Sequence, residues 1–195
     1  MSDTSLPTTY FDDVYRANAD PWAFETSPYE RAKYEATLTA LPNERYRRAF
    51  EIGCSIGVLT EQLARRCDRL LAVDASELPL RAARQRLAPY PNVTVNRMSI
   101  PGDFPGEPFD LILLSEVGYY LNRDDLHRAR QLMLDHLDPG GHLLLVHWTP
   151  FVPDYPLTGD QVHDEFLAVA GEGQPLTHRL GQRAEQYRLD LFQKR

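Results

Sequence analysis

Hydrophobic and polar positions along the chain alternate between the spacing of strands and the spacing of helices. In residues 124–137, apolar side chains recur every three or four positions, as on one face of a helix. Residues 109–115 are apolar on both faces, which is typical of a central buried strand. The predicted strands are 49–52, 70–74, 93–97, 109–115 and 142–147, and the predicted helices between them are 57–66, 79–87 and 124–137. This alternation predicts an α/β fold around a mostly parallel sheet.

The N-terminal part of the chain has a different pattern. Residues 8–18 are rich in aromatic side chains and predict a short helix. Ser27 and Glu30 flank a proline in a capping box, which predicts a second helix that ends before Pro42. Residues 1–42 are therefore predicted to form a helical cap or lid.

The C-terminal part adds a helix and two strands. Thr158 and Gln161 form another capping box and predict a helix to about residue 170. Residues 176–183 and 185–193 are predicted to form an antiparallel pair that closes the sheet. Since no linker interrupts the chain, we expect a single domain over residues 1–195, with its core in 43–195.

Composition narrows the class of protein. The 195 residues carry a formal net charge of −7, which argues against a nucleic-acid-binding face. No apolar run is long enough to cross a membrane, and the N-terminus lacks the pattern of a signal peptide. Cys54 and Cys67 give no disulfide framework, so we expect a cytoplasmic location. Histidines and cysteines show no ligand spacing, so no metal is expected. The sequence does not predict an oligomeric state.

A glycine-containing loop follows the first predicted strand and opens a helix. Gly53 and Gly57 allow a tight turn and a close approach to a ligand, which the N–H groups of the helix would face. Asp74 ends the second strand, where a carboxylate can accept hydrogen bonds from ribose hydroxyls. Glu51 precedes the loop and would repel a pyrophosphate, but it suits an ammonium or a sulfonium. These features favour S-adenosylmethionine over a dinucleotide such as NAD.

The segment from Glu51 to Gly57 resembles the E/D-x-G-x-G-x-G loop of class I S-adenosylmethionine-dependent methyltransferases, with Ser55 in place of the middle glycine. The resemblance implies a Rossmann-like fold, with a mostly parallel seven-stranded sheet, a C-terminal antiparallel hairpin and helices on both faces. The residues expected to bind the cofactor are Glu51, Gly53, Cys54, Ser55, Gly57, Asp74, Ala75, Ser99, Ile100 and Ser115.

Four stretches of the chain together resemble the nodulation protein S-like family of small methyltransferases. They are Asp20-Pro21-Trp22 with Ser27-x-Tyr29-Glu30-x-x-Lys33-Tyr34, the loop 51–57, Phe109-Asp110-Leu111-Ile112-x-x-Ser115-Glu116-Val117-x-Tyr119-Tyr120-Leu121, and Pro139-Gly140-Gly141-His142-Leu143. The founding activity of that family is N-methylation of an amino sugar. The resemblance implies an N-methyltransferase that acts on a small amine, such as an amino sugar or glycoside.

The segment after the fourth strand is expected to face the methyl group, because ligands of such sheets lie at the carboxyl ends of the strands. Glu116 is a candidate to orient the amine and accept its proton, or alternatively to cap the next turn. His147, which ends the fifth strand, is the second catalytic candidate, or alternatively a hydrogen-bonded structural histidine. The residues expected to bind the acceptor are Trp22, Tyr29, Tyr119, Tyr120 and His163.

Other functions remain open at the level of sequence. The acceptor atom is either nitrogen or, in an O-methyltransferase, oxygen. A non-catalytic S-adenosylmethionine-binding partner subunit would keep Glu51, Gly53 and Asp74 but lack a coherent acceptor pocket. An enzyme of the NAD type is the third alternative. The N-terminal aromatic residues either pack on the sheet or close over the cofactor as a lid.

Overall fold

The computed structural model of the protein describes residues 4–195 and contains a seven-stranded mixed sheet. Its strands are β1 (Tyr46–Ile52), β2 (Cys67–Asp74), β3 (Val93–Arg97), β4 (Phe109–Ser115), β5 (Leu137–Trp148), β6 (Leu176–Arg183) and β7 (Tyr187–Lys194). The strand order is β3-β2-β1-β4-β5-β7-β6. Strands β1 to β5 are parallel, whereas β7 runs antiparallel to both β5 and β6. The predicted Rossmann-like fold with a C-terminal antiparallel hairpin is confirmed.

Six helices and one short turn accompany the strands in residues 4–195. They are α1 (Thr8–Ala17), α2 (Pro28–Thr39), α3 (Val58–Ala64), α4 (Glu77–Leu87), a 3₁₀ turn (Gly118–Tyr120), α5 (Arg123–His136) and α6 (Gly159–Leu167). The Ser27 side chain accepts a hydrogen bond from the Glu30 N–H and so starts α2. Thr158 and Gln161 form a complete capping box at α6. Local capping chemistry therefore sets where both helices begin.

Strand β5 begins five residues earlier than predicted. The segment expected to be a turn, residues 139–141, lies within β5 as an irregularity of its pairing with β4. Phe109 pairs with Leu137, but Leu111 pairs with His142, so β5 carries extra residues at this point. A proline and two glycines look like a turn in sequence, and they also suit a bulge.

Helices cover both faces of the sheet, as the two-sided apolar pattern of β4 requires. Ile112 and Leu114 face one buried cluster, which includes apolar residues of α5 and α6. Leu111 and Leu113 face the other cluster, which includes residues of α2 and α3. Of the helices in residues 4–195, none is both long and apolar enough to cross a membrane.

The N-terminal helices lie against the loops at the carboxyl edge of the sheet. The Tyr15 hydroxyl of α1 lies 2.6 Å from the Ser55 hydroxyl, which follows β1. The Ser76 hydroxyl, which follows β2, donates to Asp12 of α1 at 2.6 Å. These hydrogen bonds tie the predicted cap to the loops that follow two central strands.

Candidate active site

A cavity of about 480 Å³ lies at the carboxyl edge of the parallel strands, under the N-terminal helices. This is the edge where ligands of such sheets bind. The predicted site residues that line the cavity are Trp22, Tyr29, Gly53, Ser55, Asp74, Ala75, Ser99, Ile100, Ser115, Glu116, Tyr119 and Tyr120. The predicted site residues that do not line it are Glu51, Cys54, Gly57, His147 and His163. The structure therefore brings together residues from the cap and from the loops after five strands.

The loop after β1 has a backbone that favours glycine. Gly53 has a φ of +88°, and a Cβ atom there would come within 2.2 Å of Val117 Cγ2. Glycine therefore lets the loops after β1 and β4 approach each other. Ser55, which replaces the middle glycine of the family loop, has a φ of +48° and donates its N–H to Asp74 at 3.1 Å. Its hydroxyl is the partner of Tyr15, so this departure from the pattern makes a contact with the cap.

Asp74 fits the role of a ribose ligand. Its two carboxylate oxygens accept the N–H groups of Ser55 at 3.1 Å and of Ser76 at 3.0 Å. Burial raises the pKa of Asp74 to about 6, although backbone N–H donors of Ser76, Ser55 and Ala75 oppose the shift. A carboxylate has about four acceptor sites, so capacity remains for a ligand hydroxyl. The orientation of this carboxylate is thus fixed by the loop.

Three residues of the segment 51–57 lie outside the cavity wall, namely Glu51, Cys54 and Gly57. Glu51 is 2% exposed, and burial raises its pKa to about 7, opposed by nearby Thr60 of α3. Its Oε2 has no hydrogen-bond partner among residues 4–195. Cys54 is also buried, and Gly57, with a φ of +82°, is the N-cap of α3. None of the three residues lines the cavity, and their expected contact with the cofactor stays a prediction. The Glu51 side chain shares a strand face with Ala49, which packs in the cluster that includes α3.

Two carboxylates and one ammonium form a buried group at the other end of the cavity, here named the carboxylate cluster (Glu30, Lys33 and Glu116). Lys33 Nζ donates to Glu30 Oε1 at 3.0 Å and to Glu116 Oε1 at 2.6 Å. Glu116 Oε2 accepts the Tyr119 hydroxyl at 2.6 Å and the Trp148 N–H at 3.0 Å. Both oxygens of Glu116 are therefore engaged. Its φ of +58° marks a backbone held in a strained region.

Two polar atoms beside this cluster remain unpaired. Glu30 Oε2 and the Tyr29 hydroxyl are buried and have no hydrogen-bond partner among residues 4–195. Burial raises the pKa of Glu30, and Lys33 opposes the shift. Burial alone would lower the pKa of Lys33, but Glu116 and Glu30 outweigh it and raise the pKa. Lys33 is therefore a stable cation.

Glu30 and Lys33 were not predicted as site residues. Their spacing of three residues on a helix is typical of an exposed ion pair, and both occur in the N-terminal motif shared with the family. Their burial depends on how α2 packs against the loop after β4. That motif was the available signal, although no pattern in it separates an exposed pair from a buried one.

His147 and His163 belong to a separate buried group, here named the histidine chain (His147, His163 and Asp190). His147 Nε2 accepts the Gly118 N–H at 3.0 Å, and its Nδ1 lies 3.1 Å from His163 Nε2. His163 Nδ1 lies 2.6 Å from Asp190 Oδ2. Both rings are fully buried, and burial lowers the pKa of each. The ring nitrogens of both residues are engaged and neither residue lines the cavity, so this geometry does not support the expected roles of His147 in catalysis and His163 in substrate binding, which stay predictions.

Aromatic residues from the cap and the core meet around the cavity. Tyr15 and Trp22 pack edge to face with ring centroids 5.6 Å apart. Tyr29 packs edge to face on Trp148 at 5.9 Å. These residues pack against one another and also line the cavity, so the cap contributes directly to its wall.

The charge of the cavity wall is unbalanced. Among residues 4–195, three carboxylates (Glu30, Asp74 and Glu116) and one ammonium (Lys33) line it. Within the same residues, no group of His, Cys, Asp or Glu side chains is arranged to hold a metal ion. A wall with excess negative charge favours cationic ligands and disfavours a pyrophosphate.

Proteins with assigned names are similar to this chain in sequence. A nodulation protein S from Rhizobium tropici is 32% identical over 127 residues, which are 64% of this chain and 53% of that protein. A dTDP-4-amino-2,3,4,6-tetradeoxy-D-glucose N,N-dimethyltransferase from Saccharopolyspora spinosa is 26% identical over 87% of this chain and 63% of its own length. The chain thus matches between one half and two thirds of the length of these relatives.

A solved structure gives the same result at the level of the fold. The crystal structure of the N-methyltransferase NodS from Bradyrhizobium japonicum WM9, in complex with S-adenosylhomocysteine, superposes with a TM-score of 0.80 at 25% sequence identity. The match covers 96% of this chain and 99% of that one. The family model for nodulation protein S matches residues 13–147, well over half of the chain. The chain therefore belongs to the nodulation protein S family.

Proposed function

We propose that this protein is an S-adenosylmethionine-dependent methyltransferase that N-methylates a small amine, such as an amino sugar or glycoside. One observation carries the proposal: a single cavity joins a fixed carboxylate suited to ribose, Asp74, to a buried carboxylate cluster suited to a cation. The names of the relatives support it, since NodS was solved with S-adenosylhomocysteine and the Saccharopolyspora spinosa relative dimethylates an amino sugar.

The cofactor would lie along the loops after β1, β2 and β3. Asp74 would accept the ribose hydroxyls, and the loop at Gly53 and Ser55 would lie against the amino-acid part. Ser99 and Ile100, which follow β3, would face the adenine. When bound, S-adenosylmethionine supplies a methyl group on a sulfonium for attack by the lone pair of the acceptor. The chain's contribution is proximity, orientation and exclusion of water.

The acceptor would occupy the end of the cavity formed by α2 and the loops after β4 and β5. Glu116 would act there as a positioning residue, because its oxygens hold Lys33 and the Tyr119 hydroxyl in place. Trp22, Tyr29 and Tyr120 would offer aromatic faces to the apolar side of the acceptor.

The alternatives from the sequence have less support in the cavity. A non-catalytic subunit was expected to lack a coherent acceptor pocket, whereas here the carboxylate cluster and the nucleoside loop share one cavity. An enzyme of the NAD type would place a pyrophosphate in a wall with three carboxylates, which is unfavourable. Nitrogen is favoured over oxygen as the acceptor atom, since the same carboxylates stabilise an incoming ammonium.

The proposal extends to organisation and location. Residues 1–42 would act as a cap on a core of residues 43–195 within one domain, as the bonds of Tyr15 and Asp12 to core loops suggest. The acceptor would be a small molecule and not a nucleic acid, in line with the net charge of −7. A cytoplasmic location would suit Cys54 and Cys67, which are both free and buried.

Calorimetric titration tests the cofactor directly. S-adenosylmethionine and S-adenosylhomocysteine are expected to bind at one site per chain, and NAD is not. Tight binding of NAD without binding of either S-adenosyl compound would contradict the proposal.

A further inference from the structure

Among the carboxylates that line the cavity in residues 4–195, only Glu30 is a buried residue with an oxygen that has no hydrogen-bond partner. It is 7% exposed, lines the cavity, and uses Oε1 for Lys33 while Oε2 has no partner among residues 4–195. We infer that Glu30 binds the amino group of the acceptor and takes its proton before methyl transfer. This inference rests on the proposed methyltransferase function and names the catalytic residue of its acceptor site.

The two charged neighbours of Glu30, Lys33 and Glu116, already form hydrogen bonds within the protein. Lys33 carries three N–H donors and no lone pair, and two carboxylates hold it as a cation. Both oxygens of Glu116 accept hydrogen bonds from within the protein. Of the two carboxylates in the cluster, only Glu30 therefore has an oxygen atom with no hydrogen-bond partner among residues 4–195.

The buried Oε2 atom of Glu30 has no hydrogen-bond partner among residues 4–195, and this is evidence for a ligand. A buried polar atom that forms no hydrogen bond is destabilising, and such atoms in native structures call for an explanation. The Tyr29 hydroxyl, on the preceding residue, is unpaired as well. An ammonium has three donors, so one amino group can satisfy both Glu30 Oε2 and Tyr29. A ligand amine that reaches both atoms would give each of them a hydrogen-bond partner.

The electrostatic surroundings favour a proton on Glu30. Burial raises its pKa, and Glu116 from the loop after β4 raises it further. Lys33 and Tyr34, on the same helix as Glu30, oppose the shift. A carboxylate with a raised pKa is a better base near neutral pH than an exposed one.

The step balances as follows. The ammonium form of the acceptor transfers one proton to Glu30, which leaves a neutral carboxylic acid and an amine with a free lone pair. That lone pair forms the new N–C bond while the S–C bond breaks, and the electrons of the broken bond remain on sulfur. The methylated nitrogen carries the positive charge that the sulfonium loses.

The test uses sinefungin, an analogue of the cofactor in which a carbon bearing an amino group replaces the sulfonium and its methyl. Its ammonium sits where the acceptor must approach, so the ratio of its affinity to that of S-adenosylhomocysteine reports on groups that face an amine. The parent protein is expected to prefer sinefungin, and Glu30→Gln is expected to reduce that preference about ten- to a hundredfold. Affinity for S-adenosylhomocysteine should stay unchanged.

The control is Glu35→Gln, the same substitution at an exposed position of the same helix, which should keep the preference. In the parent, the preference should decline as the pH falls, because a protonated Glu30 no longer attracts the ammonium. This second measurement needs no variant and holds if Glu30→Gln fails to fold. A preference that survives Glu30→Gln, or that is independent of pH in the parent, overturns the inference. Absence of S-adenosylhomocysteine binding by the parent would instead overturn the proposed function.

Discussion

Two buried polar groups lie close to the carboxyl ends of β4 and β5, and they differ in how completely they are paired. In the histidine chain, every ring nitrogen of His147 and His163 has a partner, and Arg188 also donates to Asp190 at 2.8 Å. In the carboxylate cluster, Lys33 and Glu116 are paired, but Glu30 Oε2 is not. Only the carboxylate cluster lines the cavity.

We interpret the histidine chain as structural and the carboxylate cluster as functional, because the two groups differ in pairing and in access to the cavity. The Gly118 N–H occupies His147 Nε2, so His147 Nδ1 carries the proton and donates to His163, which in turn donates to Asp190. Such a chain fixes the orientation of both rings and leaves no site for a ligand. The carboxylate cluster lines the cavity and contains one buried carboxylate oxygen without a partner among residues 4–195. A titratable residue at a strand end is thus not by itself a catalytic residue.

The largest expected effect comes from breaking the histidine chain. Asp190→Ala should lower the free energy of unfolding by about 3–5 kcal/mol, because it leaves His163 and Arg188 without their buried partner. Chemical denaturation would measure it. The matched control is Asp164→Ala, which removes an exposed partner of the same arginine and should cost less than about 1 kcal/mol. Equal losses in both variants would show that the chain does not stabilise the fold.

A substitution in the carboxylate cluster should change turnover rather than cofactor affinity. Glu116→Gln weakens the contacts that hold Lys33 and Tyr119, so turnover of an amine acceptor should fall about ten- to a hundredfold. Steady-state kinetics with a panel of amino sugars and other small amines would measure it, alongside calorimetry with S-adenosylhomocysteine. If an identified acceptor is methylated at the parent rate, the acceptor lies elsewhere in the cavity.

Cofactor affinity should depend on pH through Asp74. Burial raises the pKa of Asp74 to about 6, so its carboxylate becomes protonated as the pH falls through that value. Affinity for S-adenosylhomocysteine should then fall, approaching about tenfold per pH unit, since ribose hydroxyls donate best to the ionised form. Calorimetry between about pH 5 and pH 8 tests this.

The stability of the free protein should respond to Asp74 with the opposite sign. A carboxyl whose folded pKa is raised favours folding at low pH, and that contribution is lost as the pH rises through about 6.

The control for the binding experiment is Asp74→Asn. This variant should bind S-adenosylhomocysteine more weakly than the parent, and its affinity should not change with pH. A parent affinity that is constant over this range would remove Asp74 as the ribose ligand.

The smallest effect is expected where the cap meets the glycine loop. Tyr15→Phe removes the hydrogen bond to Ser55 and should reduce stability by about 0.5–1.5 kcal/mol. Ser55→Gly loses the same bond but relieves a positive φ, so its net effect should be smaller. Thermal unfolding of both single variants and the double variant measures the coupling. Strictly additive losses would show that the two hydroxyls do not interact.

Much of the fold could be predicted from local patterns, because apolar residues recur with different periods in strands and in helices. The glycine loop and Asp74 were found for the same reason, since their chemistry depends on neighbours in sequence. Glu30 and Lys33 were missed because their burial depends on packing between α2 and the loop after β4. His147 was assigned to catalysis because its position predicted the right edge of the sheet, but not that Gly118 and His163 occupy its ring nitrogens.

Transfer of a labelled methyl group tests the central claim most directly. The protein is incubated with S-adenosylmethionine labelled on its methyl group, together with amino sugars and with the corresponding sugars in which a hydroxyl replaces the amino group. Label is expected on the nitrogen of an amino compound, with formation of S-adenosylhomocysteine and no transfer to the hydroxyl compounds. Transfer to hydroxyl oxygen alone, or retention of the label on the cofactor with every amine in the panel, would contradict the proposed N-methylation.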